Sequence, residues 1–412
     1  MRGRRILRVF EHDVVTNRTK CSAGRVVGKP AIETLWAYND AHQNRYFTNI
    51  RDGIKLTSYV GVLQVGGLTI EILPKADRGR PDEAVWHAVL LRMLEVCRSL
   101  PRTAPTEAHL TERRRSILDL YLALYLDEVD GLMRRGLAKR YRRQDGQVTA
   151  LKGQWLFGEH LRRNLVHKER FYTRHQVYDH DHRIHRILRR GLEVVDRIHT
   201  DTLLTSRVRT ALQLFPEVSH EAITAATFDG LRLSRQTRPY DRALQIARLL
   251  ILHFSPGIEG GRQNLLALLF DMNALWEDYV YRMLARHAPD GVTVKPQQSK
   301  QFWERKTVRP DLVITRPDGG TVVADAKWKT HGTAGQPTDA DLKQMFVYNQ
   351  LWECEDAYLI YPSTDGRASR VQGTYHVDES RCTVVTVPVV DGAGRFYEEW
   401  DDVIPMASFS DR

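Results

Sequence analysis

The sequence predicts a multidomain α+β protein with a β-rich N-terminal domain, a mainly helical middle region and an α/β C-terminal domain. A chain of 412 residues is too long for one ordinary hydrophobic core. Its first part alternates apolar and polar residues, the middle shows helical periodicity, and the last part reads helix, hairpin, helix and strand. We therefore expect domains at residues 1–80, 81–255 and 256–412.

In the N-terminal domain, two apolar runs flank the pair Gly66-Gly67, which predicts a β-hairpin from Tyr59–Val65 and Leu68–Pro74. We expect Gln64, Thr69 and Glu71 to face solvent. A charged linker, Asp77–Glu83, follows.

Helical spacing marks the middle region. Helices are expected over residues 83–97, 111–135, 181–200, 203–215 and 239–254, with a loop at Leu100–Ala108. Residues 137–150 suggest a strand and a turn, and a short helix carries Phe157, Leu161 and Leu165.

Arginines are dense in this region, and two interpretations of them stay open. They form either a DNA-binding surface or a solvated basic face. The net charge of +10 and the pI near 9.4 favour a polyanionic partner, because a basic surface releases counterions from nucleic acid. The arginines are Arg134, Arg135, Arg140, Arg142, Arg143, Arg162 and Arg163.

Three histidines, His180, His182 and His185, lie beside two aspartates. Their spacing does not match two histidines on one helical face binding zinc. We expect instead a helix that begins here and is capped by Asp181.

The C-terminal domain is expected to begin in the loop Pro256–Gly261. An amphipathic helix is predicted over Asn264–His287 and another over residues 339–353. Strands are predicted at 292–296, 300–305, 356–361, 371–376 and 383–389.

Between these helices lies the segment 309–330, in which two apolar runs are joined by Arg316-Pro317-Asp318-Gly319-Gly320. Proline and glycine at these positions are typical of a tight turn. The predicted hairpin brings Asp311, at the start of the first run, close to Asp325 and Lys327 at the end of the second.

Two carboxylates beside a lysine suit phosphodiester hydrolysis. One or two Mg²⁺ ions can activate water and neutralise charge at phosphorus, and Mg²⁺ prefers oxygen ligands. Mn²⁺ is a possible substitute. The predicted metal ligands are Asp311, Asp325, the carbonyl of Ala326, and Glu277 from the upstream helix.

Alternation along the strand places Lys327 on the same face as Asp325, where its ammonium can orient water. Gln344 and Tyr348 are four residues apart on the downstream helix and so share a face, from which they contact phosphate or brace the site. The simpler alternative for Asp325 and Lys327 is a surface ion pair. Trp276 and Trp328 are expected to be packing residues.

The pattern Pro310-Asp311, then Asp325-Ala326-Lys327, resembles the motif of PD-(D/E)XK nucleases. Gln344 to Tyr348 resembles the QxxxY motif of their RecB-like branch. Further stretches resemble McrC, the nuclease subunit of McrBC modification-dependent restriction systems, in the same order along the chain. They are Gly61–Lys75, Leu151–Gln154, Leu161–Leu165, Asn273–Val280 and Tyr358–Pro362.

The resemblance implies a metal-dependent DNA endonuclease subunit that binds and stimulates a hexameric AAA+ GTPase of McrB type. That partner recognises and translocates modified DNA. Residues 1 to about 150 would form the bridging region, with the β-rich domain as the docking part. The sequence has no phosphate-loop motif of its own.

Two other functions stay open: a noncatalytic activator that binds the ring, and a standalone RecB-like DNA-repair nuclease. The lack of a cluster-binding cysteine set among the four cysteines argues against the second. The longest apolar run, Leu120–Leu126, is too short to span a bilayer, so no membrane association and a cytoplasmic location are expected.

Overall fold

The computed structural model describes most of the chain, with gaps between its described ranges. They are residues 5–22, 24–74, 83–97, 116–167, 169–198, 202–255, 264–329, 337–363, 367–391, 395–400 and 403–404. Several predicted features lie wholly or partly outside these residues: the linker at 77–83, the loop at 100–108, the start of the helix at 111–135 and the loop at 256–261.

The chain divides into two compact units. The first unit comprises Met1–Ile117 together with Leu269–Arg412, and the second comprises Leu118–Leu268. The three domains expected from the sequence, at residues 1–80, 81–255 and 256–412, remain a prediction.

The N-terminal part of the first unit is rich in short strands and contains two helices. It contains β1 (Arg5–Phe10), β2 (Val14–Thr16), α1 (Lys29–Ala41), β3 (Phe47–Ile50), β4 (Gly53–Leu56), β5 (Tyr59–Val65), β6 (Leu68–Leu73) and α2 (Glu83–Val96). Strand β6 lies between β1, which is parallel to it, and β5, which is antiparallel. Strands β2, β4 and β3 form a separate antiparallel sheet. The predicted hairpin of β5 and β6 and the helix α2 are confirmed, whereas α1 was not expected.

The expected solvent exposure of Gln64, Thr69 and Glu71 is wrong, because all three are at most 1% exposed. Strand β6 is paired on both edges and buried along its whole length. The polar side chains are buried with partners: Thr69 donates to Gln64, and Glu71 accepts from Arg8 Nε and from the backbone N–H of Ile117. The polar residues that alternate along this hairpin therefore form buried hydrogen bonds and do not face solvent.

The C-terminal part of the first unit is a mixed six-stranded sheet with helices packed on it. It contains α9 (Met272–His287), β12 (Thr293–Pro296), β13 (Lys300–Trp303), β14 (Lys306–Val308), β15 (Leu312–Thr315), β16 (Thr321–Ala326), α10 (Asp339–Trp352), β17 (Asp356–Ser363), β18 (Ser369–Thr374) and β19 (Arg381–Pro388). The strand order is β12-β15-β16-β17-β19-β18. Helices α9 and α10 both contact β16, which is parallel to β17.

The single helix expected over Asn264–His287 is wrong in its first part. Residues Leu265–Asp271 form strand β11, and α9 begins at Met272. The run is apolar at nearly every position and so lacks the period that separates helix from strand. Asp271 ends the strand and caps the helix, because its carboxylate accepts from the backbone N–H groups of Asn273 and Ala274.

The second unit combines helices with a three-stranded sheet. Its elements are α3 (Ile117–Arg135), β7 (Arg140–Val148), β8 (Gln154–Trp155), α4 (Phe157–Asn164), β9 (Phe171–Asp179), α5 (Arg183–Ile198), α6 (Thr202–Leu214), α7 (Ala225–Asp229), a 3₁₀ turn (Arg238–Tyr240), α8 (Asp241–Leu252) and β10 (Phe254–Ser255). The strand order in the sheet is β7-β9-β8. Strand β9 was not expected; it pairs with β7 along nine residues. Helix α5 contacts α6 and α8.

Asp181 does not cap the helix that follows it. Its carboxylate accepts from the backbone and hydroxyl of Ser219 and pairs with Arg186 at 2.8 Å. An aspartate just before a helix is typical of a cap. Here, however, Ser219, 38 residues later, and Arg186, in the first turn of the helix, occupy the Asp181 carboxylate.

Among the described helices, none has both the length and the apolar character that crossing a lipid bilayer requires.

Candidate active site

The hairpin that carries the predicted site is confirmed. Strands β15 and β16 pair antiparallel, with Leu312 opposite Ala324 and Thr315 opposite Thr321. The turn closes through the backbone N–H of Arg316, which donates to the carbonyl of Gly320. Gly319 has a φ of 85°, which glycine adopts without strain.

Two carboxylates meet at the open end of this hairpin. Asp311 directly precedes β15 and accepts a 2.8 Å hydrogen bond from the backbone N–H of Ala326. Asp325 lies in β16 and is only 2% exposed. Burial, followed by the Asp325 and Glu277 charges, raises the pKa of Asp311 to about 8. Burial also raises the pKa of Asp325. The charges of Asp325 and Glu277 therefore favour the protonated form of Asp311.

Lys327 provides one positive charge at this point. Its Nζ lies 2.5 Å from Asp325 Oδ2. The ammonium therefore lies in direct contact with the buried Asp325 carboxylate. Burial lowers the pKa of Lys327, but Asp325 and Asp311 outweigh it and keep the ammonium charged.

A chain of hydrogen bonds from α10 holds that ammonium. Lys327 Nζ donates to Gln344 Oε1 at 3.1 Å, and Gln344 Nε2 donates to the Tyr348 hydroxyl at 2.8 Å. The Tyr348 hydroxyl in turn donates to the carbonyl of Arg309 at 3.1 Å. Of the two roles predicted for Gln344 and Tyr348, this geometry supports bracing the site.

Glu277 lies on α9 and is half-buried. Burial raises the pKa of its carboxyl group, and the Asp325 charge raises it further. It is thus within electrostatic reach of the aspartates. However, the described residues include no group of three His, Cys, Asp or Glu side chains arranged to hold one metal ion. The role of Glu277 as a third carboxylate ligand remains a prediction.

The residues present fit a hard divalent cation. The charges of Asp325 and Glu277 both raise the pKa of Asp311, so a cation bound among these carboxylates would relieve their mutual repulsion. Mg²⁺ commonly takes one or two protein carboxylates and completes its octahedron with water and substrate phosphate. The carbonyl of Ala326 remains a predicted further ligand.

Two groups near the site were not predicted. Asp341 is buried on α10 and accepts from Lys329 Nζ, Thr338 Oγ1 and the Tyr361 hydroxyl. Lys329 is two residues beyond Lys327, but strand β16 ends at Ala326, so strand alternation does not extend to it. Nothing local pointed to Asp341.

The second unexpected group is Glu11, which is 1% exposed and accepts a 2.7 Å hydrogen bond from Trp328 Nε1. Trp328 directly follows Lys327 in the chain. Trp276 packs against Trp328 and donates to the carbonyl of Ile360, which also accepts from the Lys327 backbone N–H. Both tryptophans are buried as expected, and they also tie the end of β16 to the rest of the first unit.

The other candidate groups have structural explanations. His182 and His185 are buried and hydrogen-bond to the carbonyls of Ala138 and His180. Burial lowers the pKa of each, which keeps the rings neutral. In the basic segment, Arg142 pairs with Asp179, and Arg162 and Arg163 both pair with Glu159. Arg134 and Arg143 are exposed. Both interpretations of that segment stay open.

Comparison with known proteins decides the family. Residues 54–362 match the family described as McrBC 5-methylcytosine restriction system component, which is most of the chain. The chain belongs to this family. No curated protein matches it.

Two solved structures share the fold of this McrBC-family chain. One is a half-complex from a tetradecameric assembly of Thermococcus gammatolerans McrB AAA+ hexamers with bound McrC. The matched chain is 18% identical with a TM-score of 0.72, and the likeness covers 96% of this chain and 97% of that one. The other is the McrBC complex of the same organism, with 17% identity, a TM-score of 0.50, and coverage of 68% and 88%. At these identities the likeness shows the fold.

We expect the Glu11–Trp328 hydrogen bond to stabilise this McrBC-family chain. Glu11→Ala would leave the buried indole N–H without this acceptor and lower the free energy of unfolding by about 1–3 kcal/mol. Glu11→Gln keeps a carbonyl oxygen at the same place and should cost less. Urea unfolding of the two variants checks this. Equal losses in Ala and Gln variants would show that the hydrogen bond is not the cause.

The raised pKa of Asp311 predicts a pH dependence of stability in EDTA. Because the folded-state pKa of about 8 lies above the unfolded value of about 3.9, the folded state binds the extra proton between these values. The stabilisation that this proton gives to the folded state is complete below about pH 4 and is lost as the pH rises through about 8. Asp311→Asn should flatten this fall, measured by urea unfolding at several pH values. An unchanged slope would contradict the shift.

Proposed function

We propose that this chain is the DNA-cleaving subunit of a McrBC-type restriction system, a Mg²⁺-dependent endodeoxyribonuclease in which Mn²⁺ can replace Mg²⁺. One observation carries the proposal: Asp311, Asp325 and Lys327 converge at one end of a sheet, with Gln344 holding the lysine. The mixed sheet with α9 and α10 on β16 supports a PD-(D/E)XK nuclease domain within residues 256–412.

The roles of the side chains follow from their positions. Bound Mg²⁺ supplies charge neutralisation and an activated water. Asp311 and Asp325 hold the cation, and to do so each must give up the proton that burial favours. Lys327 faces the attacked phosphate and stabilises the negative charge that develops there.

Gln344 and Tyr348 act through Lys327. The lysine side chain has four rotatable bonds, so a fixed acceptor at Gln344 removes much of its conformational freedom before substrate binds. Tyr348 orients the Gln344 amide, and burial raises the pKa of Tyr348 so that its hydroxyl stays a donor to Arg309.

We also propose a division of labour with a partner. The partner is a hexameric AAA+ GTPase of McrB type that recognises and translocates modified DNA, and the β-rich residues 1–80 dock on it. The fold shared with a chain from an assembly of McrB AAA+ hexamers with bound McrC supports this.

A cleavage assay with the purified chain and its AAA+ partner tests the function. The substrate is plasmid carrying 5-methylcytosine, with GTP and either Mg²⁺, Mn²⁺ or EDTA. We expect double-strand cleavage that requires both proteins, GTP and Mg²⁺ or Mn²⁺. Stimulated GTP hydrolysis without cleavage would instead identify a noncatalytic activator, and cleavage by the chain alone would identify a standalone nuclease.

A further inference from the structure

A second group of charged residues lies in the second unit, at a cavity of about 430 Å³. Four arginines line it. Arg140 comes from the start of β7, Arg183 and Arg186 come from the first turn of α5, and Arg232 comes from the segment that follows α7. Ile184, Gly230 and Leu231 complete the lining.

Carboxylates neutralise only part of this charge. Arg186 is paired on two sides, with Asp181 at 2.8 Å and with Glu221 at 3.0 Å. Arg183 lies farther from Glu221, at 3.7 Å, and is about half exposed. Two carboxylates therefore face four guanidinium groups.

The other two arginines have no carboxylate partner among the described residues. Arg140 donates to the neutral hydroxyl of Thr237. Arg232 is exposed and has no hydrogen bond or ion pair within the described residues. The acids beside these two arginines are engaged elsewhere. Asp179, which lies opposite Arg140 on the neighbouring strand, pairs with Arg142, and Asp229, three residues before Arg232, pairs with Arg248.

Such a cavity favours an anion for three reasons. Guanidinium groups that share one cavity repel each other, and an anion between them removes the repulsion. The cavity lies at the first turn of α5, where the helix dipole favours negative charge. The planar fork of arginine matches two oxygens of a phosphate group.

We propose that this cavity binds a backbone phosphate of DNA. Arg183 and Arg232 are exposed, so the cavity is open to solvent on their side. A phosphate group within a DNA strand can therefore reach it. The choice of DNA rests on the proposed function, whereas the phosphate site itself does not.

The test measures DNA binding by the full chain in EDTA, without partner or cleavage. Fluorescence anisotropy of a short fluorescein-labelled duplex is followed over a KCl series. The variant is Arg183→Gln with Arg232→Gln, both at exposed positions. The matched control is Arg197→Gln with Arg209→Gln, which removes the same charge from exposed positions of the same unit away from the cavity.

The cavity variant should bind the duplex about 10-fold more weakly than the control, and its salt slope should fall by about 1–2. Equal losses in the two double variants would overturn the site. A second arm uses a fluorescent GTP analogue. If the cavity variant loses only that analogue and keeps duplex binding, the ligand is a free nucleotide and the DNA assignment is wrong. This binding assay measures no cleavage. If the cavity variant loses DNA binding but the wild-type chain never cleaves DNA with its partner, the phosphate site is upheld and only the proposed function is wrong.

Discussion

Asp325→Asn is expected to reduce DNA cleavage by at least about 10³-fold while leaving stimulation of the partner's GTP hydrolysis unchanged. Asp325 is buried, and its Oδ2 oxygen lies against the Lys327 ammonium. Asparagine keeps the size of the side chain but removes the charge that would hold the cation and that Lys327 faces. Lys327→Ala should give a loss of similar size, because it removes the cation that faces the phosphate.

The matched control is Asp318→Asn. Asp318 is an exposed carboxylate in the turn of the same hairpin, where it accepts from the backbone N–H of Gly320. This variant removes the same charge from the same hairpin and should cleave normally. Cleavage and GTP hydrolysis are measured in one reaction containing the chain, its partner and methylated plasmid. If the Asp325 and Lys327 variants cleave as well as Asp318→Asn, the proposed site is wrong.

The second large effect is expected on stability, from Gly191→Ala. Gly191 lies within α5, where an added Cβ would be 2.6 Å from Cζ of Tyr125 and closer still to its hydroxyl oxygen. Tyr125 is fully buried on α3 and donates a 2.6 Å hydrogen bond to the carbonyl of Leu188, so its ring cannot move away cheaply. Overpacking of this kind costs about 1–3 kcal/mol.

Gly158→Ala is the control for this variant. Gly158 also lies within a helix, α4, but no heavy atom is within 4 Å of an added Cβ. This substitution should leave stability unchanged or raise it by up to about 1 kcal/mol, because alanine has the higher helix propensity. Urea unfolding followed by circular dichroism compares the two. Equal stability of both variants would show that α3 and α5 do not pack as described.

The hairpin at the site was predictable because its signals are local. A turn rich in proline and glycine, two apolar runs and strand alternation together place Asp311, Asp325 and Lys327 at one end. The four-residue spacing of Gln344 and Tyr348 likewise places them on one helical face. These rules need no knowledge of the rest of the fold.

Other features depend on contacts that no local pattern encodes. Glu71 was expected in solvent, but its strand is central and both of its edges are paired. Glu11 reaches Trp328 across 317 residues of sequence. The cavity arginines come from three separate segments of the second unit, and only Arg140 belonged to the run that the sequence made conspicuous.

Mn²⁺ binding by the purified chain, followed by electron paramagnetic resonance, tests the metal site most directly. We predict that the wild-type chain and Asp318→Asn bind Mn²⁺ at a site that Asp311→Asn and Asp325→Asn both lose. Mn²⁺ binding of equal strength and stoichiometry in all four proteins would contradict a metal-dependent nuclease site at this hairpin.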